Sequence, residues 1–154
     1  MKRLIGIMMA LVLLMLSACS SQPAKEISLE DVMNGLSSKY SLEEGMLRLT
    51  ADDLLDMYGI QTADVKQFEA RMKLESIQAD EIVLIEAADS AAAKRVKEML
   101  DARYQTKLNE ARDYLPDEYA KIEKCSVKQN GNFVSMIVHA DAEAIMKEYE
   151  DSLK

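Results

Sequence analysis

Two cysteines and one histidine are the residues of this sequence suited to act as nucleophile, soft metal ligand or neutral-pH proton carrier. Cys19 is set apart by its surroundings, because Leu16-Ser17-Ala18 stands directly before it and an apolar run from Leu4 leads up to that. Small residues ahead of a cysteine leave its thiol sterically accessible. Cys125 lies in an alternating stretch and is expected to be a small buried hydrophobe on a strand, since a nucleophilic thiol needs a histidine and a polarised setting beside it. His139 falls near a strand end, and no Gly-x-Ser-x-Gly elbow accompanies any serine. Asp52, Asp53 and Asp56 crowd one turn, but carboxylates in a first helical turn are what the helix dipole favours, and no EF-hand loop pattern surrounds them. Zinc sites built from several His and Cys ligands are excluded by number, and phosphate-cradling glycine motifs are missing. No catalytic residue, metal or cofactor is therefore assigned.

Residues 1–18 have the parts of a secretory signal: Lys2 and Arg3, then the apolar run from Leu4 to Leu16, then small residues. At about 1.5 Å per residue this run covers about 20 Å, short of the roughly 30 Å hydrocarbon core of a bilayer. Leu16-Ser17-Ala18-Cys19 resembles the lipobox of bacterial lipoproteins. What that resemblance implies is a diacylglyceryl thioether on Cys19 and cleavage between Ala18 and Cys19. Two acyl chains suffice for stable anchoring where one is marginal. The expected location is the extracytoplasmic face of the cell membrane. Residues 19–27 are expected to be a lipidated tether, whose stretch Ser20 to Glu26 (SSQPAKE) reaches at most about 25 Å. A domain held so close favours a partner near the same membrane.

The formal charge is −8, and losing Lys2 and Arg3 from the 19 basic residues leaves 17 against 27 acidic ones, or −10. So acidic a body repels phosphate backbones, and no basic cluster with interleaved aromatics occurs, which excludes nucleic-acid binding. The same sign disfavours lying flat on anionic lipid.

Residues 28–154 are expected to form a single domain, within the usual size of one hydrophobic core. Ser28-Leu29-Glu30-Asp31 opens a helix with Leu29, Val32, Met33 and Leu36 on one face. Thr50-Ala51-Asp52-Asp53 opens a second, which Gly59 ends. Phe68, Ala70, Met72 and Leu74 alternate with Glu69, Arg71, Lys73 and Glu75, which predicts a strand with one buried and one wet face. A turn near Gln78-Ala79-Asp80 leads to Ile82-Val83-Leu84-Ile85, apolar on both faces and so a central strand. Asp89 or Ser90 caps the longest helix, roughly 90–112, with Val96, Leu100, Tyr104, Leu108 and Ala111 as its stripe and its charges in solvent. Tyr114 to Tyr119 predicts a break and a short turn around Pro116. Asn130-Gly131 predicts a type I′ hairpin in which Lys128 faces Phe133, Val127 faces Val134, Ser126 faces Ser135 and Cys125 faces Met136. Asp141 caps a last helix bearing Ile145, Met146 and Tyr149. The expectation is an α+β fold in ααββαββα order, with a four-stranded mainly antiparallel sheet of two hairpins packed with helices.

Glu81 to Ile85, the later Arg103, Tyr114-Leu115-Pro116-Asp117-Glu118-Tyr119 and Asn130-Gly131-Asn132-Phe133-Val134 together resemble the DUF4358 family. The resemblance covers roughly residues 28–150 in layout. It implies a small lipid-anchored protein of Gram-positive, largely clostridial bacteria, with no assigned function and no catalytic residue to transfer.

Val83, Ile85, Phe133, Ile137 and His139 are expected on the second sheet face, too apolar a set to be left in water. Either the N-terminal helix bearing Leu29, Val32, Met33 and Leu36 covers them, or they form a docking groove for a peptide or hydrophobic ligand. The expected role is a non-enzymatic binding or interaction module at the cell envelope. The competing expectation is a small cell-envelope hydrolase using carboxylates or His139, which requires a perturbed acid or the histidine beside a nucleophile in a polar pocket. A two-lobed transporter subunit would need about twice this length.

Overall fold

Ser28 and Thr50 start their helices by the same device, a hydroxyl that accepts from the backbone three residues on. The computed structural model describes residues 26–42, 44–74 and 79–154, so Ala18, Cys19 and most of the tether lie outside the described residues. Helix α1 (Leu29–Tyr40) begins where Asp31 N–H donates to Ser28 Oγ (3.2 Å) and ends in the left-handed Ser41. Strand β1 (Met46–Arg48) follows, then α2 (Ala51–Tyr58). Thr50 and Asp53 close a full capping box there, with Thr50 N–H donating to Asp53 Oδ2 at 2.7 Å, and Gly59 at φ 72° stops the helix. Asp53 is thus engaged in a cap, which holds its carboxyl below the ordinary value through the Thr50 backbone bond.

Past a 3-10 turn come β2 (Val65–Lys73), β3 (Glu81–Ala87) and the long α3 (Ser90–Tyr114). Asp89 caps α3 by accepting from the amides of Ala91 and Ala92, both at 2.8 Å. The predicted stripe is right in kind: Val96, Leu100 and Ala111 are buried, with Tyr104 and Leu108 packed against the core. The segment around Pro116 is more than a turn. It is α4 (Pro116–Ile122), with Pro at its first turn, followed by β4 (Ser126–Asn130), β5 (Phe133–Val138) and α5 (Ala142–Ser152).

The sheet is antiparallel throughout, and its order is β1-β2-β3-β5-β4. Among the described residues it has five strands rather than four. The additional one, β1, is a three-residue edge strand paired with β2 only, too short to carry a period-two pattern. The element order departs from ααββαββα by β1 and by the extra helix α4, giving five α-helices among the described residues where four are expected, while the mixed α+β architecture stands.

The second hairpin is shifted two residues from its expected register. Asn130 pairs with Phe133, Gln129 with Val134, Lys128 with Ser135 and Val127 with Met136. The two-residue loop is therefore Gly131-Asn132, and positive φ in it is confined to Gly131 (59°). That is the sign pattern of a II′ turn, with glycine first, rather than the I′ turn expected from Asn-Gly. A two-residue slip changes partners without exchanging faces, so the in/out assignment of Cys125, Val127, Val134 and Met136 survives.

Helices cover both faces of the sheet. Residues directly opposite in an antiparallel pair share a face. Phe68, Ala70, Met72, Glu81, Val83, Ile85, Val134 and Met136 therefore face α3, while Glu69, Arg71, Ile82, Leu84, Phe133, Ser135 and Ile137 face α1 and α5. On the second face Leu29, Met33 and Leu36 are buried beside Ile145, Met146 and Tyr149. This double cover overturns the expected wet face of β2, where Glu69 and Arg71 are buried and Arg48 pairs with Glu69. Leu74, expected inside, lies past the end of β2 and is exposed.

Candidate functional site

The five residues expected on one face do not share it. Val83 and Ile85 lie directly across from Met136 and Val134, under α3, whereas Phe133 and Ile137 lie across from Glu86 and Ile82, under α1 and α5. The error follows from the register between hairpins, which local pattern does not set. Val83, Ile85 and Ile137 are fully buried, and Phe133 is half-buried at the rim of a cavity of about 570 Å³ with Ile27, Lys66, Glu86 and Leu153. His139 lies beyond the end of β5, in the turn into α5. Its Nδ1 accepts from the Asp141 amide at 3.0 Å, which places its ring proton on Nε2, and it lines a separate cavity of about 440 Å³ with Lys121, Lys124 and Glu143.

Cys125 and His139 come close only through the wrong atoms. The Cys125 thiol donates to the Lys121 carbonyl at 3.2 Å and sits 3.8 Å from the His139 carbonyl, while the imidazole is turned to Asp141. Burial pushes the Cys125 thiol above its ordinary value, outweighing the His139 backbone contact and the Lys121 charge. A protonated, carbonyl-bound thiol is a poor nucleophile. Iodoacetamide at pH 7.5 is accordingly expected to label Cys125 far more slowly in the folded chain than in urea. Equal rates in the two states, followed by mass spectrometry, would refute the assignment.

The densest ionic chemistry gathers around Glu81, at the start of β3. This carboxylate is wholly excluded from solvent, at 0% exposure. Tyr58, from the last turn of α2, donates its hydroxyl to Glu81 Oε1 at 2.7 Å. Arg103 of α3 grips the carboxylate with both prongs, Nε to Oε1 at 3.1 Å and Nη2 to Oε2 at 2.9 Å. One turn on, Lys107 Nζ stands 2.7 Å from Oε2. The guanidinium also lies 5.6 Å from the Tyr58 ring centre and contacts the Met72 sulfur. Burial pushes the Glu81 carboxyl up, but the Arg103 bond and the Lys107 and Arg103 charges outweigh it and hold the group below its ordinary value. Tyr58 is driven far above its ordinary value by burial and by the Glu81 charge, so it donates as a neutral phenol. A bidentate guanidinium adds direction as well as charge.

Two cations thus meet one carboxylate. Their side chains are 20% (Arg103) and 10% (Lys107) exposed, so water reaches the cationic side of the cluster but not Glu81. Nearby, Glu118 accepts from the Ala79 amide (2.8 Å) and Lys121 bridges Glu118 and Asp80, tying α4 to the end of the β2–β3 hairpin. Sequence reasoning passes over Glu81 because one acid at a strand start reads as solvated. The available signal is Arg103 and Lys107, one turn apart beside the apolar stripe of α3, where a solvated face would place them farther from it.

A family model described as a domain of unknown function, DUF4358, matches residues 38–139. The matched span holds all five strands, Tyr58, Glu81, Arg103 and Lys107, and leaves most of α1 and all of α5 outside it. No curated protein and no solved structure matches the chain.

Proposed function

The chain belongs to the DUF4358 family, and from that premise we propose that it is a lipid-anchored extracytoplasmic binding module, held on the cell membrane through Cys19. The observation that carries the binding role is the cluster at Glu81: donors locked in place by a buried carboxylate, with water at their outer side. Rigidly held donors lower the ordering cost of taking up a ligand.

The anchoring role rests on the Leu16-Ser17-Ala18-Cys19 motif, and the domain's first described residues give it a geometry. Gln67 of β2 donates to the Ile27 carbonyl (2.7 Å) and accepts from the Leu29 amide (3.0 Å), so the chain joins the sheet at a defined point. Cys19 and Ile27 are eight residue steps apart along the chain, a reach of about 27 Å when extended. Among the described residues no helix is long and apolar enough to cross a membrane. The test is Cys19→Ser in the full chain. Mass spectrometry is expected to find a diacylglyceryl thioether on Cys19 of the wild type and an uncleaved leader without it on the variant. A wild-type chain whose Cys19 carries no such thioether would overturn the anchor.

A further inference from the structure

We propose that the outer side of the Glu81 cluster is an oxyanion site, at which Arg103 and Lys107 together take a carboxylate or phosphate group. This deepens the binding role above and rests on it.

The argument begins with charge. One carboxylate carries a single negative charge, and the two groups that contact it each carry a positive one. Tyr58 contributes none, because its phenol stays neutral. Among the described residues, the charged group that also acts on Arg103 is Glu110, seven residues along α3 and exposed to solvent, where water screens it. Counted over the described residues, the cluster therefore holds a surplus positive charge in a setting that is only 10–20% exposed. Desolvated charge is costly until a counter-charge meets it.

Donor geometry points the same way. Arg103 presents five N–H groups in a rigid fork. Its Nε and Nη2 are committed to Glu81, and Nη2 also to the Met72 sulfur. Among the described residues Nη1 has no hydrogen-bond partner, and it is not among the buried unpartnered atoms, so it meets solvent. Among the described residues Lys107 Nζ has one contact, to Glu81, and spare donors beside it. Glu81 thus acts as a positioning residue. It fixes a guanidinium and an ammonium side by side and leaves their remaining hydrogens for an incoming oxygen pair. Charge-assisted donors of this kind are the strong ones for carboxylate and phosphate.

The test is calorimetric titration of the full-length protein in non-ionic detergent with sodium phosphate and, separately, sodium acetate, against sodium chloride at matched ionic strength. Saturable binding of at least one oxyanion is expected, and the stronger of the two arms identifies the group. Lys107→Met keeps the one-to-one Arg103–Glu81 pair and so keeps the fold. It is expected to weaken binding about tenfold or more. Lys94→Met, an exposed change on the same helix, should leave binding unaltered. Arg103→Lys, which retains charge but loses the fork, should weaken it as well. Absence of saturable binding of either anion to a wild-type chain that is folded by circular dichroism would overturn the site. So would equal binding by Lys107→Met. Neither result touches the Cys19 anchor, whose failure is read separately by mass spectrometry of Cys19.

Discussion

Replacing Glu81 with Gln is expected to cost about 3–5 kcal/mol of stability, the range for removing one partner of a buried ion pair. The carboxylate has no exposure, and its loss leaves Arg103 and Lys107 facing one another across a neutral amide. A domain of this size has about 5–15 kcal/mol in total, so the variant should be partly unfolded under mild conditions. Urea titration followed by circular dichroism measures it, since the chain has no Trp for fluorescence. A loss under about 1 kcal/mol would mean that the cluster is screened like a surface pair. Adding Lys107→Met to Glu81→Gln should recover part of the loss by removing one stranded cation.

The pH dependence has a defined sign. The folded-state value of Glu81 is depressed below its ordinary 4.5, because its two cations outweigh burial. Its contribution is therefore complete above pH 4.5 and disappears as pH falls through the lower, folded-state value. Exposed acids such as Asp151, held at about 2 by Lys147 and Lys154, also titrate in acid. The informative quantity is thus the difference between wild type and Glu81→Gln, which should stay constant from pH 5 to 7 and shrink below 4.5.

Leu84→Ala is the second large effect, expected at about 2–5 kcal/mol. Leu84 is fully buried at the middle of β3, with Glu69 and Ser135 across from it on the two neighbouring strands. Its side chain fills the layer between the sheet and the α1/α5 pair. Helices on that side are held by side-chain contacts such as Ser135 Oγ to Met146 Sδ (3.5 Å) and by Lys39 and Tyr40 reaching Glu148. A loss under 1 kcal/mol in the same urea titration would show that α1 and α5 collapse onto the vacated space. Leu55→Ala, at an exposed position, should change stability by no more than about 0.5 kcal/mol.

Helix starts were legible in the sequence because the physics of a cap is local, whereas the loop of the second hairpin lies one residue later than Asn130-Gly131 suggests. The caps at Ser28, Thr50 and Asp89 depend on residues within three positions of one another, and each forms as read. The double-sided apolar run at Ile82–Ile85 likewise identifies a central strand, because apolar side chains on both faces of a strand call for cover on both sides. What depends on distant partners was not legible. Nothing near Met46–Arg48 announces a strand, since its pairing is supplied by β2 some 25 residues later. Glu69 and Arg71 look solvated because the α1 layer that buries them is specified elsewhere in the chain. The split of Val83 and Ile85 from Phe133 and Ile137 is set by the β3–β5 register, which joins two hairpins across α3 and α4. The Glu81 cluster is of the same kind, drawn from α2, β3 and α3.

The Gln67 clamp on Ile27 and Leu29 has a mechanical consequence. Tension on the chain ahead of Ile27 loads the two hydrogen bonds of the Gln67 side-chain amide before it loads any strand pair. Those bonds lie on β2, an interior strand whose own ladders run to β1 and β3. A tug from the N-terminal side is thus taken first by a latch that can open and reclose, while the sheet and the ions around Glu81 remain unstressed behind it.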